Sequence, residues 1–406
     1  MSIKKGIYFL LFIVISASIN NPLTATNGIG NRPTTSCPKS EFHKTVLPAD
    51  YQISEYLPRL TGKRVGLVIH QSSVVSNRLL ADTLLSLGVD IKAIFVPEHG
   101  FRGEEEAGAK IADQKDPKTG LPIISLYGKN KKPTPLQLSD IDVMVYDLQD
   151  VGVRFYTYIS TMHYVMEACA ENNKEVIILD RPNPNDHYID GPILESAHRS
   201  FVGMHPIPIV YGMTCGELAQ MINGEKWLNA GVTCNLTVIA MQGYRHGLKQ
   251  PLVVKPSPNL PNLQSILLYP SLCLFEGTEV SIGRGTDYPF QVIGAPYYPD
   301  KDFSFTPKPM PSAKTPPLSG KKVYGINLTT INPPAMIDLS WLIAFYNQSN
   351  LQEKFFNNPE FFDKLAGTSS LRESIINGET EKQIREKWVI GLKQFDAQRK
   401  QYLLYP

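Results

Sequence analysis

From about residue 64 the chain alternates short apolar runs with amphipathic stretches. That alternation calls for a mostly parallel, doubly wound sheet with helices on both faces. Val65-Gly66-Leu67-Val68-Ile69, Ile91 to Val96, Asp142 to Tyr146, Glu175 to Leu179 and Asn235 to Met241 read as strands. Between them, residues 77–87 form an amphipathic pattern stopped by Gly88, and Tyr158 to Asn172 a longer one. Thr214 and Glu217 make a capping box ahead of a third helix. The first strand is not followed by G-x-G-x-x-G, and G-x-x-x-x-G-K-[ST], H-E-x-x-H and G-x-S-x-G are missing from the sequence. The sheet therefore carries something other than a dinucleotide, ATP, a zincin metal or an elbow serine in their familiar settings.

With 406 residues the chain exceeds one typical core, and two domains are expected. The pattern changes after about residue 250. Lys255-Pro256-Ser257-Pro258-Asn259-Leu260-Pro261 is stiff and proline-rich, and residues 299–317 read as a surface loop. Beyond Ile337 the pattern is helical, and Glu381 to Leu403 reads as a packed helix with Ile384, Trp388, Ile390, Leu392 and Phe395 at helical spacing. The 40 basic residues nearly balance 38 acidic ones, which leaves no electrostatic footprint for nucleic acid. At the N-terminus, Lys4 and Lys5 precede an apolar run from Ile7 to Ala17, the pattern of a secretory signal peptide cleaved after Ser18 or Ala25. Residues 1–25 are thus assigned to the signal, 26–45 to a polar arm, 46–250 to the sheet domain and 251–406 to a smaller domain that closes a cleft. A periplasmic or secreted protein is expected, off the membrane once the signal is cut. The five cysteines are scattered and odd in number, and Cys169, Cys215 and Cys273 read as buried thiols. No metal or cofactor motif is present.

Polar clusters follow the strand ends, where open α/β sheets bind ligands. The first is Glu98-His99-Gly100-Phe101-Arg102, the second Asp147-Leu148-Gln149-Asp150 through Arg154, Tyr156 and Tyr158, the third Asp180-Arg181-Pro182-Asn183. A fourth, Phe275-Glu276-Gly277-Thr278 with Gly283-Arg284-Gly285-Thr286, lies in the second half. Carboxylates, amides, arginines and aromatic rings converging on one edge suit a sugar. Glycoside hydrolysis needs a proton donor of raised pKa and a second group acting as base, nucleophile or stabiliser. Glu98, shielded by Phe101, suits the first role; Asp147, Asp150 and Glu276 are candidates for the second. Other readings stand beside these: Glu104 to Glu106 as a solvated loop, Asp180 bracing a turn, Arg154 in a structural ion pair, His99 holding its loop.

Taken together, these segments resemble the secreted exo-β-N-acetylmuramidases of the NamZ type. The match runs in order through Pro97 to Gly103, Asp147 to Tyr158, Asp180 to Pro184, Pro206-Ile207-Pro208-Ile209-Val210-Tyr211-Gly212-Met213-Thr214, Pro256 to Pro261, Phe275 to Thr278 and Gly283 to Thr286. The resemblance implies a Rossmann-like domain joined to a smaller α+β domain, with the site in the cleft between them. It implies release of N-acetylmuramic acid (MurNAc) from non-reducing ends of peptidoglycan fragments such as MurNAc-GlcNAc or muropeptides. Glu98 is then the catalytic acid, with Tyr156 and Glu276 as further catalytic residues. His99, Arg102, Asp147, Gln149, Asp150, Arg154, Asp180, Asn183, Arg284 and Thr286 are the candidate substrate contacts, Arg284 or Arg154 meeting the lactyl carboxylate. The substrate's own acetamido group can also serve as nucleophile, with Asp147 or Asp150 orienting it. The alternative function is a muropeptide-binding protein without catalysis.

Overall fold

The computed structural model describes residues 46–97, 114–248 and 252–406. Its main sheet is built from β1 (Arg64–Ile69), β4 (Asp90–Val96), β5 (Gln114–Lys115), β6 (Pro122–Ser125), β7 (Val143–Asp147), β8 (Glu175–Leu179) and β9 (Asn235–Ile239). Between the first two of these, β2 (Val74–Val75) and β3 (Arg78–Leu79) form a separate small hairpin. The sheet order is β5-β6-β4-β1-β7-β8-β9, parallel throughout except for β5. Among the parallel strands the chain moves outward from β1 in one direction, returns, and moves outward in the other. The order reverses between β1 and β7, which is where such sheets open a crevice at their carboxyl ends.

Alternation along β1 divides the core. Leu67 and Ile69 pack on one face with Tyr56 and Leu60 of α1 (Ile53–Leu60) and Leu80 and Leu84 of α2 (Leu80–Ser86). Val68 faces the other side, with Met144, Tyr146 and the buried faces of α4 (Tyr158–Glu171) and α5 (Cys215–Gly224). Each fully buried Leu or Ile of these layers contributes about 1.5–3 kcal/mol. Gly66 lets the layers approach closely: a Cβ there would stand 2.4 Å from Met144 Sδ and 2.8 Å from Ile141 Cδ1, and both side-chain ends would have to shift. The short α3 (Pro135–Leu138), capped by Thr134 and Gln137, leads into β7.

The second part opens with α6 (Leu263–Leu272), capped by Asn262. A three-stranded antiparallel sheet follows, order β10-β12-β11, from β10 (Val292–Ala295), β11 (Ser304–Phe305) and β12 (Val323–Asn327). Helices α7 (Ser340–Ser349), α8 (Pro359–Ala366), α9 (Ser370–Ile376), α10 (Glu381–Glu386) and α11 (Val389–Arg399) complete it. The architecture is the expected one: a Rossmann-like, mostly parallel sheet with a smaller α+β part. Among the described residues no helix is long and apolar enough to cross a membrane.

Three local expectations change. The helix expected over 77–87 begins at Leu80, because Ser76 and Asn77 both adopt positive φ and turn the chain into the β2–β3 hairpin. The single helix expected over 381–403 is two, broken at Lys387–Trp388, where the Trp388 N–H reaches back three residues to Arg385 O. That break buries Trp388 and leaves Ile390 71 % exposed. Third, the surface loop expected over 299–317 contains strand β11, and β6 stands where the sequence raises no strand expectation.

Candidate active site

The segment after β7 is folded against its neighbours by buried polar groups. Asp150 accepts hydrogen bonds from the Gly152 N–H at 2.7 Å and from the Tyr211 hydroxyl. Gly152 has φ +77°, and a Cβ there would fall 2.0 Å from Asn183 Oδ1, so only glycine fits. The Arg154 N–H bonds Ile209 O at 2.8 Å and fixes the next turn. Tyr156 and Tyr158 emerge from it with ring centroids 4.6 Å apart, Tyr158 also meeting the ring of His70 just past β1. The Tyr156 hydroxyl donates to Pro256 O at 2.9 Å, tying this segment to the proline-rich one.

From the second part, the tight turn Cys273–Gly277 after α6 presents Glu276, and Gly283-Arg284-Gly285 presents Arg284. Arg284 Nε donates to Glu276 Oε1 at 2.8 Å, and Nη2 donates to the same oxygen. The guanidinium also lies 5.1 Å from the Phe290 ring centroid, a cation–π distance. Glu276 Oε2 has the Cys273 thiol at 3.9 Å. The described residues bound a cavity of about 250 Å³ whose walls include Tyr156, Tyr158, Tyr269, Phe290, Glu276 and Arg284. Tyr127, two residues past β6, and Phe201 complete its rim.

Of the residues singled out in the sequence, the cavity brings together Tyr156, Glu276 and Arg284. Glu98, His99 and Arg102 lie outside the described residues; β4 ends at Val96, paired with Ser125 of β6, and Glu98 follows Pro97 in sequence. The others do not line the cavity, and each has a structural partner instead. Asp147 is buried and clamped by Arg181, Nε at 2.5 Å and Nη2 at 2.9 Å, while Arg181 also reaches Asp50 at 2.7 Å. Gln149 donates to Pro182 O at 2.7 Å and Asp150 O at 2.9 Å. Burial pushes the Asp150 carboxyl up to about 6.

Arg154 does not line the cavity, and among the described residues it has no ion-pair partner. It is fully buried, and its guanidinium donates to Pro192 O, Ile207 O, Leu365 O and Ala366 O. Burial lowers its pKa to about 9. Asp180 accepts from the Gly216 N–H at 2.8 Å at the start of α5, from Thr214 Oγ1 at 2.7 Å and from the Tyr405 hydroxyl at 2.6 Å. Asn183 donates to Met213 O at 2.8 Å and accepts from the Asn185 N–H. Thr286 braces the turn that carries Arg284, donating to Gly283 O at 2.7 Å.

Sequence reading missed Tyr127, Phe201, Asn259 and Tyr269. Asn259 is buried against the cavity, its Nδ2 held by Ser312 O at 3.1 Å and its Oδ1 enclosed with no hydrogen-bond partner. An asparagine between two prolines in Pro258-Asn259-Leu260-Pro261 is the signal that was available for it.

Two models of one family cover the chain end to end beyond its first sixty residues. The N-terminal model of exo-beta-N-acetylmuramidase NamZ matches residues 65–264 and the C-terminal model matches residues 267–405. The chain belongs to the NamZ exo-β-N-acetylmuramidase family. It is 38% identical over 379 residues to the protein of Bacillus subtilis (strain 168) named peptidoglycan beta-N-acetylmuramidase NamZ, covering 88% of this chain and 90% of that one. Two crystal structures of DUF1343-family proteins from Bacteroides fragilis NCTC 9343 share the fold. One superposes with TM-score 0.83 at 44% identity, the other with 0.77 at 30%, each over 89% of this chain and 99% of the other. The cavity of this NamZ-family chain is lined from both matched parts: Tyr156 and Tyr158 from the first, Tyr269, Glu276, Arg284 and Phe290 from the second.

Proposed function

We propose that this protein is an exo-acting glycoside hydrolase that releases MurNAc from the non-reducing ends of peptidoglycan fragments such as MurNAc-GlcNAc. The observation that carries the reading is a cavity of about 250 Å³, suited to one sugar, in which Glu276 and Arg284 face aromatic rings in a NamZ-family chain. Tyrosine and phenylalanine faces stack on a pyranose ring. Arg284 commits Nε and Nη2 to one oxygen of Glu276, which leaves Nη1 for the lactyl carboxylate and Glu276 Oε2 for the substrate. In this reading Glu98 protonates the leaving oxygen, and Glu276 either stabilises the charge that develops on the sugar or takes a proton from the attacking water. Tyr156, whose hydroxyl is engaged with Pro256, contributes its ring.

The test is turnover of para-nitrophenyl MurNAc beside para-nitrophenyl GlcNAc. Release from the MurNAc glycoside alone is expected; equal release from both overturns the selectivity, and release from neither overturns the activity. The same reading divides the chain at about residue 250 and places the mature protein in the periplasm or outside the cell. N-terminal sequencing of exported protein should begin after Ser18 or Ala25.

A further inference from the structure

Beside the first cavity lies a second, of about 470 Å³, which shares Phe201 with it and otherwise has its own lining. Lys131, His163, Tyr164, Arg199, Phe201 and Trp227 line it. Phe201 is a wall of both cavities. Its ring stacks on Tyr164 at 6.3 Å and carries Lys131 Nζ 4.3 Å from its centroid.

The charge of this cavity is unbalanced. Its one carboxylate, Glu167, is already paired with Lys132 at 2.7 Å and accepts the Asn229 N–H at 2.7 Å. Among the described residues no carboxylate lies within ion-pair distance of Lys131 or Arg199. His163 of the lining and His205 behind it share a contact of 3.1 Å, and burial drives both imidazoles toward the neutral form. They therefore neither cancel nor add to the two cations. Two polar atoms of the lining, His163 Nε2 and Ser200 Oγ, are enclosed with no hydrogen-bond partner. His163 Nε2 has Glu167 Oε2 3.4 Å away, without hydrogen-bond alignment. Two cations with no carboxylate partner among the described residues, set beside flat aromatic rings, suit a ligand that is polar, extended and anionic.

We propose that the second cavity is a subsite for a carboxylate-bearing extension of the saccharide, reached past Phe201 from the sugar held in the first cavity. The inference rests on the muramidase reading. The carboxylate has two chemical sources: a peptide on the lactyl group of the bound MurNAc, or the lactyl group of the next MurNAc along the glycan.

The experiment compares three substrates: para-nitrophenyl MurNAc, MurNAc-GlcNAc carrying an L-Ala-D-Glu dipeptide, and the peptide-free tetrasaccharide (MurNAc-GlcNAc)₂. Each is assayed with the full protein and with Lys131→Ala, at a half-buried position, and Arg199→Ala, at an exposed one. The chromogenic glycoside should be turned over unchanged by both variants. An extended substrate should lose about tenfold in kcat/KM, through KM, for each charge-assisted contact removed. A loss confined to the dipeptide substrate assigns the site to the peptide, and one confined to the tetrasaccharide assigns it to the glycan. No loss on either, or equal losses on all three substrates, overturns the proposal. If no glycoside is hydrolysed at all, the muramidase reading fails separately. Calorimetric titration of the same two extended saccharides then still decides the site: Arg199-dependent binding supports it and Arg199-independent binding ends it.

Discussion

At the scale of single residues, the chemistry narrows to one carboxylate in sequence and one in the cavity. Glu98→Gln should lower kcat on para-nitrophenyl MurNAc by about two orders of magnitude or more if Glu98 is the proton donor; near-normal turnover removes it from that role. Arg284 has two tasks, since it donates twice to Glu276 and has a further donor for a ligand. Arg284→Ala should therefore lower kcat and also erase discrimination between sugars. Competitive inhibition by free MurNAc should weaken about tenfold while inhibition by free GlcNAc stays as it was. A parallel loss for both sugars would separate Arg284 from the lactyl group. Which polar residues mattered was only partly legible in the sequence. Asp147, Asp150, Arg154, Asp180 and Asn183 look like ligand groups because they follow strand ends. The same crowding at a carboxyl edge also demands donors and acceptors for backbone that leaves the sheet; Asp150, Arg154, Asp180 and Asn183 meet that demand, and Asp147 holds the Arg181 guanidinium. Glu276, Tyr156 and Arg284 differ only in facing open space, which composition and spacing do not encode.

At the scale of elements, the parallel strands were readable because each is a short apolar run between helical patterns. β6 was not, since Pro122-Ile123-Ile124-Ser125 is too short to stand out from its flanking glycine and proline residues. The break between α10 and α11 escaped periodicity for a related reason: Trp388 keeps its place on the apolar side while the backbone changes direction around it. Arg154 shows what joins such elements. Its guanidinium links the Pro192 and Ile207 carbonyls of the first part to the last turn of α8 through Leu365 O and Ala366 O. Arg154→Met should strand several buried carbonyls and cost about 3 kcal/mol or more, measured by urea denaturation. Arg154→Lys should recover little of it, because one ammonium cannot span four acceptors in two directions. If Arg154→Met unfolds at the same urea concentration as the parent, the strut is not structural.

At the scale of the whole molecule, the last residues return to the first sheet and lock it. The Tyr405 hydroxyl donates to Asp180 at 2.6 Å and accepts the Met241 N–H at 2.9 Å. The Leu404 N–H donates to Glu217 Oε1 at 2.8 Å. His246 sits in the middle of this closure, Nδ1 2.9 Å from Asp186 and Nε2 3.0 Å from Glu217, with its own N–H on Pro406 O. Burial alone would lower its pKa, but the two carboxylates outweigh that and raise it to about 9 from 6.5. A folded-state pKa above the unfolded one means the imidazolium stabilises fully below pH 6.5, and that contribution fades as pH rises through 9. The span amounts to about 3 kcal/mol. Buried Asp150 and Asp180, raised to about 6, and Asp50, raised to about 7, work with the same sign at lower pH: their contribution is complete below pH 3.8 and gone above those values. Between pH 7 and 9 Asp50, Arg154 and the buried thiols of Cys169, Cys215, Cys234 and Cys273 also contribute, so the share of His246 is read as the difference between the parent and a variant that lacks the imidazole. Unfolding free energy should fall more steeply from pH 7 to 9 in the parent protein than in His246→Gln, which keeps hydrogen-bonding capacity without titrating. Parallel pH dependence in the two proteins would mean that the closure of the tail on the sheet does not depend on the charge of His246.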